Sequence, residues 1–150
     1  MTNTEKTKKQ LEAIGEAEIK IKERKDLLDR TQKAIRKLDK DLRKEARTEV
    51  ELLRVELNQE VINFTHKVRD GKRLIDGLIV IKGGKENKEL TKICKSILCE
   101  RYIKGEKWES IAVTTGYSLR YIYRLHGLAL MSIGQKVKKA PTEFEKVKLN

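Results

Sequence analysis

Between Thr4 and Val68 the chain runs for 65 residues with a single glycine, Gly15, and no proline. Lys, Glu, Leu and Arg dominate that run, and these are the residues that lose least on entering a helix. The only proline, Pro141, comes near the end of the sequence. A chain built this way is expected to be all-α, with long N-terminal helices. As one straight helix, the run would be about 97 Å long at roughly 1.5 Å per residue.

Its apolar residues fall into two phases. Ile14, Ile21, Leu28, Ile35 and Leu42 recur every seven residues, with Ala17, Arg24, Thr31 and Leu38 as companions, which makes half of a coiled-coil pattern. After Leu42 the phase shifts to a fuller stripe of Ala46, Val50, Leu53, Leu57, Val61, Phe64 and Val68. Such a stripe has to be buried against something. Two arrangements meet that need: a pair of chains, or one bent helix folded back on itself. Self-association through these helices, as a homodimer, is the expected arrangement.

Asp70-Gly71 reads as a kink or break, and Leu74, Ile75, Leu78, Ile79 and Ile81 as one or two further helical turns. Gly83-Gly84 is the clearest linker. This places a long helical region at 1–81, a second domain at 82–134, and a lysine-rich polar tail at 135–150, either held loosely on phosphate or disordered. Leu90, Ile93, Cys94, Ile97, Leu98 and Tyr102 form an amphipathic helix that Gly105 would stop.

The stretch Trp108–Leu130 then reads as a helix-turn-helix. Ile111 and Ala112 share one side of a short helix, and Gly116 can turn the chain through positive φ. Ser118 suits the N-cap of a second helix, 118–131, on which Ile122, Leu125 and Ala129 make one buried stripe. Trp108 starts the first helix and is expected to pack beneath the preceding one. Arg120, Tyr121, Tyr123 and Arg124 point away from the stripe, close to the N-terminus that a DNA-reading helix inserts into the major groove. An arginine fork can grip guanine O6 and N7 together, and a tyrosine can meet a thymine methyl or donate to a phosphate. Base reading is therefore expected from Arg120, Tyr123 and Arg124, and phosphate contact from Lys107, Ser118, Tyr121 and Lys104. The alternative is an ordinary helical hairpin with a basic face.

The run Arg101–Leu130 resembles the promoter-reading C-terminal domain of bacterial sigma factors. It is more similar still to small phage regulators of the RinA and ArpU-like type and to related Gram-positive prophage proteins. The resemblance lies in Arg101-Tyr102-Ile103, Trp108-Glu109, Ile111-Ala112, Gly116-Tyr117-Ser118, Ile122-Tyr123-Arg124-Leu125-His126 and Ala129-Leu130. It implies a transcription regulator in which Leu119, Arg120, Tyr123 and Arg124 face the major groove. Thr115 departs from that pattern, standing where sigma-like domains usually carry leucine. Leu119 is apolar where a basic residue is common, and Gly127 interrupts the second helix at a cost of roughly 1 kcal/mol against alanine.

Charge supports a polyanionic partner. The chain carries +12 overall. Residues 1–81 hold 20 Lys and Arg against 16 Asp and Glu, while 82–134 and the tail together hold 15 against 7. The excess is densest in the half with the helix-turn-helix, as double-stranded DNA would require. RNA polymerase is a further possible partner. The first residues lack the apolar core of a secretion signal, and no apolar run approaches a membrane span, so the expected location is cytoplasmic.

An enzyme is not expected. His66 and His126 are the only histidines, and His126 reads as a phosphate neighbour or surface residue. Gly83-Gly84-Lys85 lacks the spacing and the Ser/Thr of a phosphate-binding loop. Cys94 and Cys99 lack metal-ligand spacing, so Cys94 is expected in the core and Cys99 as a spare thiol, with no metal and no cofactor. Two rivals to a transcription regulator remain. One is a phage DNA-packaging subunit of the small-terminase type, which would form a closed ring. The other is a sigma-like module that binds polymerase and touches no DNA.

Overall fold

A computed structural model describes residues 2–133; the tail at 135–150 lies outside the described residues. Helix α1 spans Asn3–Ile35 and α2 spans Lys40–Asp76; a two-stranded hairpin follows, β1 at Ile81–Lys82 and β2 at Lys85–Glu86. Helix α3 (Lys88–Leu98) runs on into a π-helical turn (Cys99–Ile103), and α4 (Trp108–Thr115) and α5 (Leu119–Ile133) complete an all-α architecture.

Helix α1 opens with a capping box. The Glu5 amide donates to Thr2 Oγ1 at 3.2 Å and the Thr2 amide to Glu5 Oε2 at 3.1 Å. The 65-residue run is not continuous. It breaks between Ile35 and Lys40, where Asp39 takes extended geometry as the cap of α2. No glycine or proline marks this turn. Instead the Arg43 guanidinium reaches back to the carbonyls of Leu38 (2.7 Å) and Arg36 (3.3 Å), which satisfies acceptors that the end of a helix leaves free.

The two long helices therefore pack against each other within one chain, the folded-back alternative to pairing between chains. Ile14, Ala17 and Leu28 of α1 are buried in the seam, as is Val50 of α2, and Arg24 bridges to Glu56 at 2.9 Å. Leu38 and Leu42 fall at or beyond the turn and stay exposed. Val61 is also exposed, because the α2 seam passes through half-buried Phe64 one position round.

The Asp70-Gly71 pair does not break α2. Gly71 is buried against α1, where a Cβ would sit 2.6 Å from Ile14 Cδ1, so the bare backbone lets the helices close up there. Beyond Asp76 the expected helical turns are absent; Leu78 and Val80 instead enter the core from extended backbone. Gly83-Gly84 is no linker either. With φ of 64° and 77°, the two glycines form the tip of a tight antiparallel hairpin with Ile81 opposite Glu86. The Val80 amide donates to Thr91 Oγ1 and the Asn87 amide to the Val80 carbonyl, which fastens the hairpin to the start of α3.

One core crosses the expected boundary at 81/82. Leu11 and Ile14 of α1, Ile75 of α2, Leu78 and Val80 share it with Cys94, Ile97, Leu98, Tyr102, Ile111, Ile122, Leu125, Ala129 and Leu130. Each fully buried Leu or Ile there contributes about 1.5–3 kcal/mol over its exposed state. The N-terminal turns of α1 are thereby part of the platform that holds α4 and α5.

Candidate nucleic-acid interface

Helix α4 ends at Gly116, whose backbone is left-handed (φ 77°, ψ 4°) and whose amide donates to the Ala112 carbonyl at 2.9 Å. Thr115, in the place of the sigma-like leucine, donates its hydroxyl to the Ile111 carbonyl at 2.8 Å. Ser118 then caps α5, its Oγ accepting the Tyr121 amide at 3.1 Å. Ile111, Ile122, Leu125 and Ala129 are buried, and Ala112 is partly buried. The Cys94 thiol lies 3.7 Å from the Leu125 carbonyl, which ties α5 to α3.

Arg120, Tyr121, Tyr123 and Arg124 are all exposed, while Leu119 is half-buried. Among the described residues neither Arg120 nor Arg124 nor Lys107 takes part in an ion pair, so their charges are uncompensated locally. Lys104 differs: its ammonium is held by Glu100 at 2.7 Å, which raises its pKa. Tyr121 stands edge-on to Tyr117 with ring centres 5.1 Å apart.

Behind this face an aromatic stack fixes the pitch of α5. The Trp108 ring meets Tyr123 at 5.5 Å and His126 at 4.6 Å, both edge-on, and the Arg101 guanidinium lies over it at 4.7 Å. Tyr123 thus keeps 47% of its surface exposed while its ring is braced from behind. The π-helical turn, closed by the Lys104 amide on the Cys99 carbonyl, carries Arg101 and Tyr102 into this cluster.

His126 is not a surface or phosphate-facing group. It is half-buried, and Tyr102 Oη lies 2.7 Å from its Nε2. Burial, with Lys8 and Arg101 nearby, lowers its pKa to about 4. Because the folded pKa lies below the unfolded one, its contribution to stability is present above pH 6.5 and lost as pH falls toward 4. Allowing for solvent reaching part of the ring, that loss is on the order of 1–2 kcal/mol. Urea denaturation at pH 7 and pH 4 should show a smaller acid loss in His126→Asn than in the native chain.

Two residues of the exposed α5 face were missed as site residues, although their spacing was visible. Gly127 and Met131 follow Arg120 and Arg124 at helical intervals of three and four, and Met131 is 56% exposed. A Cβ at Gly127 would meet nothing within 4 Å, so packing does not demand the glycine. Gly127→Ala should therefore stabilise α5 by up to about 1 kcal/mol, read as a higher urea midpoint.

Among the described residues no three His, Cys, Asp or Glu side chains converge as metal ligands, and no helix is long and apolar enough to cross a membrane. Comparison with protein-family models, curated proteins and solved structures finds no match to the chain.

Proposed function

We propose that the protein is a sequence-specific DNA-binding regulator of transcription, of phage or prophage type, that reads the major groove with α5. The observation that carries this reading is the exposed N-terminal half of α5. It presents Arg120 and Arg124 without local counter-charges, beside exposed Tyr121 and braced Tyr123, on a helix set by a glycine turn against α4. Arg120, Tyr123 and Arg124 would meet base edges, with Leu119 against a methyl group. Lys107, Ser118 and Tyr121 would meet phosphates, and Lys104 would contribute through its exposed, Glu100-paired ammonium. The test is fluorescence anisotropy with promoter duplexes, comparing the native chain with Arg120→Ala/Arg124→Ala at two salt concentrations.

A further inference from the structure

Helix α2 has a second face, opposite the one that meets α1. Thr48, Leu52, Val55, Gln59, Ile62 and His66 follow one another at intervals of four, three, four, three and four, the spacing of a coiled-coil seam. All six are exposed, with Leu52 at 54%, Val55 at 64% and Ile62 at 48%. In a chain with 39% charged residues, six successive seam positions carry no Asp, Glu, Lys or Arg. A solvated helix face in so charged a protein would be expected to carry several.

We infer that this face is the seam of a homodimer in which the α2 helices of two copies run antiparallel. The flanking charges select both partner and direction. Beside the seam stand Glu49, Glu51 and Glu56 on its N-terminal half, and Asn58, Asn63 and Thr65 on its C-terminal half. Parallel copies would set Glu51 of each against Glu56 of the other, an unfavourable contact made twice. Antiparallel copies related by a two-fold axis near Gln59 place the acidic half of one beside the uncharged half of the other. Val55 then falls beside Ile62, and Leu52 beside His66. The two Gln59 amides meet near the axis, where each can donate to and accept from the other. From Leu52 to His66 the seam rises only about 21 Å, so it belongs at the small end of stable interfaces and the dimer should be concentration-dependent. None of this depends on DNA binding, and the test contains no DNA.

Light scattering on the full chain over a concentration series should give a mass rising from 17.4 kDa toward twice that value. Val55→Glu/Ile62→Glu should hold the mass at 17.4 kDa throughout, with helix content by circular dichroism unchanged because both side chains are exposed. Direction is read by oxidative cross-linking in a Cys99→Ser background. Leu52→Cys protein should join His66→Cys protein and fail to join itself, since the two Leu52 positions would stand about 21 Å apart along the axis. A single-chain mass at every concentration, a dimer that survives the double glutamate variant, or ready self-linking of Leu52→Cys would each overturn the inference.

Discussion

Leu11→Ala should lower the stability of the entire chain, the helix-turn-helix included, by about 2–5 kcal/mol. Leu11 is fully buried, and it shares one cluster with Ile111, Ile122 and Leu125, although about a hundred residues of sequence separate them. Truncating it leaves a cavity whose walls belong to α1, α2 and the C-terminal helices together. Typical domains hold only about 5–15 kcal/mol in all, so this one change is a large fraction of the total. Trp108, the only tryptophan, packs beside His126 on α5 and reports that region by fluorescence. Its urea transition should shift with the circular dichroism transition of the long helices, as one step. A Trp108 transition left unmoved by Leu11→Ala would mean that α1 is only an appendage to an independent domain.

Arg120→Ala/Arg124→Ala should abolish selective binding to DNA while leaving the fold intact. Each arginine that grips a base is worth about 1–3 kcal/mol, a loss of roughly 5- to 150-fold in affinity per position. Both side chains are exposed, and neither takes part in an ion pair among the described residues, so stability should change by no more than about 0.5 kcal/mol. Anisotropy titrations would separate the two roles assigned on α5 and beside it. Loss of the arginines should flatten the difference between promoter and scrambled duplexes. Lys107→Ala should weaken binding to both alike and reduce its salt dependence.

What was legible in the sequence depended on how locally each feature is determined. The α4–turn–α5 unit could be read because Gly116 and Ser118 act on backbone within a few residues of themselves. The seam residues Ile14, Ala17, Leu28 and Val50 were legible from periodicity, but the partner they face was not. Periodicity says that a stripe must be covered and is silent on whether another chain or the same one covers it. The turn at 36–39 decides that, and its signal is an arginine seven residues past Arg36 rather than a glycine.

Glycines misled in the opposite direction. Gly71 serves close helix packing and Gly83-Gly84 a hairpin tip, though in sequence the first resembles a break and the second a linker. His126 was misplaced because its partners, Tyr102 and Trp108, reach it only through the fold. Leu78 and Val80 were apolar enough to be recognised as core, yet their extended backbone follows from the contact with Thr91 on another element.

The most direct measurement of the central claim is selection from a pool of random duplexes, run with the native chain and with Arg120→Ala/Arg124→Ala. The expected result is a short enriched motif, rich in guanine where the arginines would grip, that disappears in the variant. Binding without enrichment, or the same motif recovered by both proteins, would contradict the assignment of α5 as the reading helix.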